Sequence, residues 1–286
     1  MLIVTGASGK LGSRIVEALL RHVPAEQIGV SVRTPDKLKP LAALCVRVRR
    51  GDYDEAESLR HAWQGAERLL LVSSNAAATG GSPLPQHKTA IAVAKELGVR
   101  RLLYTSQVAS NAQSLFPPGR DHAATEAMLA ASGLAWTALR HGFYSDSAVG
   151  MNSNGIASGV LVGPVDGKVA WTSHGDLAEV DALLLAGHET IDGATPPLTG
   201  SEALDLADLA RILSEVTGRT ITRQVISEDE MIESATFRSL PANLRSLIAG
   251  YFRAARKGEF AVVDPTLQRL LGRPPEVMRN VFSRLE

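Results

Sequence analysis

The sequence predicts an α/β fold, a doubly wound parallel sheet followed by a smaller, mainly helical C-terminal lobe. Three observations predict it. Short apolar runs alternate six times with helical stretches between Leu2 and Leu139, a glycine-rich turn joins the first strand to the first helix, and the alternation stops after residue 145. Alternating strands and helices call for a parallel sheet covered on both faces, with its site beyond the carboxyl ends of the strands.

Leu2-Ile3-Val4 is a short buried strand, and Ile15, Val16, Leu19 and Leu20 recur at helical spacing after it. Between them lie Thr5, Gly6, Ala7, Ser8, Gly9, Lys10, Leu11 and Gly12. The free N–H groups and positive dipole end of the following helix suit a diphosphate. Glycine at 6 and 9 lets the backbone turn and approach phosphates, and Gly12 lets the helix pack against the strand. The spacing Gly-x-x-Gly-x-x-Gly is one step different from the Gly-x-Gly-x-x-Gly dinucleotide fingerprint, and its place between strand and helix gives it weight. Lys10 is followed by Leu11 and lacks the upstream spacing of a P-loop, and the segment lacks the last glycine of a nucleophile elbow.

The first helix is closed off near Pro24, and Ile28 to Val32 reads as the second strand, ending at Arg33. In dinucleotide folds the residue at the end of this strand meets the adenosine ribose, and an acidic one there would repel a 2′-phosphate. Arg33, with Lys37 one helical turn later, offers a guanidinium fork that pairs with phosphate. The pair therefore favours NADPH over NADH, against the plainer reading of a solvated basic helix start. Val46 and Val48 alternate with Arg47 and Arg49 in a third strand that closes at Gly51-Asp52-Tyr53. Asp52 sits where a strand end meets adenine, and a turn-capping aspartate explains it almost as well.

Glu55 to Trp63 is an amphipathic helix ended by Gly65, and Leu69 to Val72 a fully buried fourth strand with Ser73-Ser74-Asn75 at its mouth. Ala76 to Pro85 reads as a mobile Gly/Pro-rich loop, Gln86 to Leu97 as a helix, and Leu102 to Ser106 as strand five. A loop holding Phe116-Pro117-Pro118 leads into the helix Asp121 to Ala131, and Trp136 to Leu139 is strand six, followed by Arg140-His141-Gly142-Phe143-Tyr144. Beyond it, Gly and Ser are dense from Gly150 to Gly167, Leu198-Thr199-Gly200 looks like another short strand, and helices dominate after Leu204. His174 precedes Asp176, which is expected to cap the helix Leu177 to Leu185. Residues 1–145 are thus expected to form an NADP-binding Rossmann domain, completed by 172–200, with 146–171 and 201–286 as a smaller substrate-binding lobe.

Composition narrows the partners. A chain of 286 residues suits one large or two unequal domains. Lys+Arg equals Asp+Glu, so nothing global draws it to nucleic acid or an anionic membrane. There is no apolar run of about 18 residues, and the N-terminus is already a strand, so neither a membrane span nor a signal peptide is expected. Cys45 is the only cysteine, which fits a reducing, cytoplasmic setting. The seven histidines show no metal spacing, and no metal is expected. Oligomeric state stays open, a homo-oligomer included.

Taken together, these residues resemble the short-chain dehydrogenase/reductase superfamily, in its atypical NmrA-like branch. The opening turn carries the likeness, with Val32-Arg33-Thr34-Pro35-Asp36-Lys37, Gly51-Asp52-Tyr53, Tyr104-Thr105-Ser106, His122-Ala123-Ala124-Thr125-Glu126 and Leu139-Arg140-His141-Gly142-Phe143-Tyr144. Leu198-Thr199-Gly200 onward to Ile226 is also similar. Length and the segment Val23 to Ile28 resemble the bacterial type-2 NADPH quinone oxidoreductases and the triphenylmethane dye reductases. The resemblance implies that Gly6 to Gly12 hold the pyrophosphate and Arg33 the 2′-phosphate. It implies cofactor contacts also for Lys37, Asp52, Tyr53, Ser73, Ser74, Thr105, His141, Gly142 and Phe143.

One departure bears on the chemistry. Ordinary members carry Tyr-x-x-x-Lys with a glutamate four residues further on. Counted back from Glu126, the lysine position holds His122 and the tyrosine position Pro118. Proline has no ionisable group, so alcohol dehydrogenation through this dyad is not available. Quinones and conjugated dyes accept hydride with less help, and orientation alone supplies roughly 7–11 kcal/mol. His122, Ser106 and Tyr144 are the candidate catalytic residues, with His141 and Tyr144 expected at the nicotinamide end. Phe116, Phe143, Trp171 and Phe237 are either walls for a flat ring or ordinary core. The sequence thus points to an NADPH-dependent reductase of quinone-like or dye-like acceptors. A non-catalytic NADP(H)-binding regulator is the alternative, and a sugar epimerase is disfavoured by the missing Tyr-x-x-x-Lys pair.

Overall fold

Contiguous apolar runs bounded by glycine, proline or charge build the strands, because a parallel strand covered on both faces has no polar side to alternate with. β1 (Leu2–Thr5) and β2 (Ile28–Val32) are buried at every position. The structure is a computed structural model and describes residues 1–285. The next strands are β3 (Arg47–Arg50), β4 (Arg68–Leu71), β5 (Arg101–Gln107) and β6 (Trp136–His141). They are linked by α1 (Lys10–Leu19), α2 (Lys39–Ala43), α3 (Ala56–Trp63), α4 (Pro83–Glu96) and α5 (Pro117–Ser132). Then come β7 (Phe143–Tyr144), α6 (Ser145–Met151), α7 (Ser153–Ser158), β8 (Val160–Gly163), β9 (Trp171–Thr172), α8 (His174–Ala186) and β10 (Gly193–Ala194). α9 (Leu206–Thr217) and β11 (Thr222–Val225) lead to α10 (Glu228–Glu233), α11 (Ala235–Arg238), α12 (Ala242–Arg256), α13 (Thr266–Leu271) and α14 (Met278–Phe282).

The main sheet has seven strands in the order β10-β6-β5-β4-β1-β2-β3. Leu2↔Ile28 and Leu2↔Arg68 set β1 in parallel between β2 and β4, and Leu71↔Tyr104 aligns β4 with β5. The order reverses between β1 and β4, the topological switch point at which open α/β sheets place their ligands. Its interior includes Ile3, Leu69, Leu71, Leu102, Tyr104 and the fully buried Trp63. β3 lies at an edge, and its arginines have a structural use: Arg47 donates to the carbonyls of Ala62 (3.0 Å) and Gln64 (2.8 Å), and Arg49 to that of His61 (2.6 Å). These cations serve the negative end of α3.

The chain divides into two units. One comprises Met1–Ser106, Asp121–Arg140 and His174–Pro196, the other Gln107–Arg120, His141–Ser173 and Pro197–Glu286. The second has its own core, with Trp171, Leu209, Leu213, Tyr251, Phe252, Phe260 and Phe282 at its centre. It also carries two parallel strand pairs, β11 with β8 and β7 with β9.

Four expectations are corrected. Leu198-Thr199-Gly200 is not a strand; Leu198 forms a single bridge to His141, and the short strand added to the sheet is Gly193–Ala194. Pro117 and Pro118 lie in the first turn of α5 rather than in a loop, where the missing N–H costs nothing. For the same reason α4 begins at Pro83, inside the stretch read as a loop, after the cap Ser82. Asp176 stands within the first turn of α8, which starts at His174, so it is not the cap. Among the described residues no helix is long and apolar enough to cross a membrane.

Candidate functional site

At the switch point the backbone makes the turn that the glycines imply. Gly6 N–H still donates to the Ser31 carbonyl (3.1 Å), extending the β1–β2 pairing, and Gly6 then adopts φ +60°, which favours glycine. Its carbonyl accepts from Gly9 N–H (2.9 Å). Gly9 caps α1 with no side-chain hydrogen bond, and no acidic residue stands in the first turn. Ser8, Gly9 and Lys10 are exposed while Ala7 and Leu11 anchor the turn in the core. Gly12 lies so close to the turn that a Cβ on it would fall 2.3 Å from the Gly6 carbonyl oxygen. An uncapped helix N-terminus behind an exposed glycine turn fits a diphosphate.

On either side of this turn the strand ends are tied together. Val72 N–H donates to Thr5 Oγ1 (2.8 Å), which also contacts Tyr53 Oη (2.5 Å), and Tyr53 donates to the Val72 carbonyl (2.8 Å). Burial raises the Tyr53 phenol well above its ordinary range, so it stays neutral. Tyr53 therefore braces β1 against β4. Asp52 Oδ1 accepts from Asp54 N–H (3.2 Å), the turn role allowed for it. Thr105 Oγ1 likewise accepts from Ser73 N–H (2.8 Å). Arg33 and Lys37 are both exposed just beyond β2.

His87 on α4 was not anticipated. Its Nε2 accepts from Ser74 N–H (3.0 Å), so the ring proton lies on Nδ1 and donates to Thr125 Oγ1 (2.9 Å), which donates on to the Asp121 carbonyl (2.8 Å). The ring is wholly buried, and desolvation lowers its pKa to about 4. The unfolded chain titrates near 6.5, so it binds more protons than the native state between these values. Stability from this group is complete above about pH 6.5 and falls by about 3 kcal/mol as the pH drops toward 4. Urea unfolding at stepped pH should show that loss in the native protein and a flatter profile in His87→Gln; equal profiles would contradict a neutral buried ring.

β5 and α5 carry the remaining candidates of the first unit. Tyr104 and Ser106 are two apart on a strand and share a face; His122 and Glu126 are four apart on a helix and do the same. Tyr104 Oη lies 2.8 Å from His122 Nδ1 and 3.4 Å from Ser73 Oγ. Ser106 Oγ donates to Glu126 Oε1 (2.6 Å), and Arg140 donates to both Glu126 oxygens through Nε (3.1 Å) and Nη2 (2.7 Å). The Ser106 proton is therefore committed to Glu126. In the sequence Tyr104 and Glu126 are only members of resembling segments, since each acquires its role when helix and strand meet.

In the second unit, His141 is fully buried and its carbonyl accepts from Val108 N–H (2.8 Å). Gly142 packs so tightly that a Cβ would meet Thr172 Oγ1 at 2.3 Å. Phe143 sits among Phe116, Trp171, Tyr251 and Phe260, with ring centroids 5.0–5.6 Å away. Tyr144 follows it, its ring centroid 6.3 Å from that of His141. Phe116, Trp171 and Phe237 are buried in this core. Phe143, only partly buried, packs against the same core.

Residues 6–182 match the NAD(P)H-binding family. Quinone oxidoreductase 2 of Escherichia coli (strain K12) is 36% identical over 288 residues, spanning 100% of this chain and 98% of that protein. The structure of an NADPH-dependent quinone oxidoreductase from Escherichia coli complexed with NADPH superposes with a TM-score of 0.92 at 35% identity, covering 100% of this chain and 99% of the other. Citrobacter sp. triphenylmethane reductase complexed with NADP(H) gives a TM-score of 0.89 at 29% identity, with the same coverage of 100% and 99%.

Proposed function

The chain belongs to the NAD(P)H-binding family, and from that premise we propose that it is an NADPH-dependent reductase that transfers hydride directly to a quinone-like or conjugated dye-like acceptor. The observation that carries the reading is its full-length likeness to a quinone oxidoreductase whose structure is NADPH-bound, a likeness that spans both units. Pro118 supports the same reading, because the first turn of α5 offers no phenol to protonate a ketone.

The first unit would hold the coenzyme and the second would serve the acceptor. The residues at the switch point fit the coenzyme: the uncapped N-terminus of α1 and the exposed turn Ser8-Gly9-Lys10 would take the diphosphate, and Arg33 with Lys37 the 2′-phosphate. Bound NADPH would supply the hydride. Thr5, Tyr53 and Thr105 brace the strand ends on either side of this turn. His122 would meet the acceptor as a hydrogen-bond partner, and Ser106 would position α5 through Glu126. The single cysteine, Cys45, is in keeping with a cytoplasmic location.

Purified protein is expected to oxidise NADPH anaerobically in the presence of benzoquinones or triphenylmethane dyes, and to leave simple ketones untouched. NADPH should bind roughly tenfold tighter than NADH, about 1.4 kcal/mol, and Arg33→Ala should erase most of that difference while leaving NADH binding unchanged. Equal affinity for the two coenzymes in the unaltered protein would remove Arg33 from the 2′-phosphate site. NADPH binding with no turnover of any quinone or dye would return the chain to the non-catalytic regulators.

A further inference from the structure

We propose that Tyr104 is a positioning residue, which accepts no ligand itself but holds the imidazole of His122 in its Nε2–H form, so that His122 meets an acceptor oxygen as an N–H donor. The proposal rests on the reductase reading for its consequence, though not for its geometry. Tyr104 is wholly buried on β5, and its ring stands edge-on to His87 with centroids 5.3 Å apart. Its hydroxyl lies 2.8 Å from His122 Nδ1 and 3.4 Å from Ser73 Oγ, and Thr125 on α5 also hydrogen-bonds to it.

A phenol has one proton to give. Burial, together with the nearby carboxylates of Asp121 and Glu126, raises the Tyr104 phenol above its ordinary range, so the proton stays on the tyrosine. An imidazole nitrogen is a stronger acceptor than the hydroxyl oxygens of Ser73 and Thr125, and it is nearer than Ser73 by a clear margin. The phenol therefore donates to Nδ1, which leaves the ring's own proton on Nε2. The reverse arrangement, with Nδ1–H donating to Oη, would turn the phenol's one proton away from the imidazole to a weaker hydroxyl acceptor, Ser73 or Thr125. His122 is half-buried where Tyr104 is not exposed at all, so the nitrogen fixed by the tyrosine is the inner one. The same device operates next door, where Ser74 N–H and Thr125 fix the tautomer of His87. The titratable groups around the pair are thus His87 from α4, and Asp121 and Glu126 from α5.

The test is Tyr104→Phe, which keeps the buried ring and removes only the hydroxyl. Side-chain nitrogen NMR spectra of the whole protein, assigned with His122→Ala, should show a bare Nδ1 and a protonated Nε2 in the unaltered chain and a mixture of tautomers in Tyr104→Phe. With NADPH and a benzoquinone, Tyr104→Phe should lower kcat roughly tenfold, the scale of one lost hydrogen bond. In His122→Ala the further change Tyr104→Phe should then cost nothing, because the two residues act as one. A proton on Nδ1 in the unaltered protein overturns the proposal, and so do losses in kcat that add independently, as a purely structural tyrosine would give. If the unaltered protein reduces no quinone or dye, the reductase reading fails separately, and the nitrogen spectra still decide the tautomer.

Discussion

Gly9→Val is expected to abolish NADPH binding and leave the protein folded, whereas Gly12→Val is expected to cost the fold itself. The two glycines stand in one turn but face different things. Gly9 has an ordinary φ of −88° and is exposed, and a Cβ on it would meet only the Gly6 carbonyl oxygen, at 3.3 Å. Valine therefore needs the Gly6 oxygen to give by only a few tenths of an ångström, and its branches fill the space beyond the N-terminus of α1 that a diphosphate needs. Affinity for NADPH should fall at least a hundredfold, about 3 kcal/mol, with a urea midpoint close to that of the unaltered chain. A Cβ on Gly12 would lie 2.3 Å from the Gly6 oxygen, 2.8 Å from its carbonyl carbon and 2.9 Å from Ala7 Cα. All three are backbone atoms that no rotamer change can move, so α1 must lift from β1, at about 3 kcal/mol or more. Calorimetric titration and urea unfolding separate the two outcomes. Native affinity in folded Gly9→Val would mean that the phosphates lie elsewhere.

Much of this was legible because parallel strands advertise themselves. Ile28 to Val32 coincides with β2, and the glycine turn at Gly6 sits where the β1–β2–β4 arrangement needs it. Such segments are set by local apolar content and by glycine at a positive φ, both of which a sequence displays. What escaped was set by distant partners. Gly193-Ala194 has no apolar run; it joins the sheet through the parallel register with Thr137 and Ala138, and Thr195 N–H donates to the Ala138 carbonyl (2.9 Å). Leu198, more strand-like in composition, makes only one bridge.

The candidate site divides in the same way. Gly6, Gly9, Gly12 and Arg33 could be named from spacing, because a turn and a strand end are local objects. Tyr104 reads as one more bulky residue in an apolar strand, and His87 as a polar residue on a helix. Their roles come from a match of periods. Two residues along a strand and four along a helix span nearly the same rise, about 7 and 6 Å, so Tyr104 and Ser106 fall opposite His122 and Glu126. That coincidence was present in the sequence, and only the pairing of strand with helix was missing.

The same match makes the loss of Glu126 costly to the first unit. Three donors from two strands converge on its carboxylate: Ser106 Oγ, Arg140 Nε and Arg140 Nη2. Arg140 N–H in turn donates to Thr195 Oγ1 (3.0 Å), so the cluster links β5, α5, β6 and the residue after β10. A guanidinium holds its proton throughout the pH range in which the protein folds, so Arg140 cannot shed its charge if the partner is removed. The Glu126 side chain is 10% exposed and that of Arg140 33%, so breaking the pair strands a partly buried cation. Glu126→Ala should therefore cost about 3 kcal/mol, the lower end for a buried pair because Arg140 retains some water. Replacing both residues by leucine should cost less than the single change, since no charge is then left without a partner. Urea unfolding of the three variants reads these differences directly. Quinone turnover per folded molecule of Glu126→Ala should stay within reach of the unaltered rate, because the carboxylate orders α5 and takes no proton from the acceptor. A loss below about 1 kcal/mol in Glu126→Ala, or a double variant weaker than the single, would show that this cluster is not what ties α5 to the strand ends.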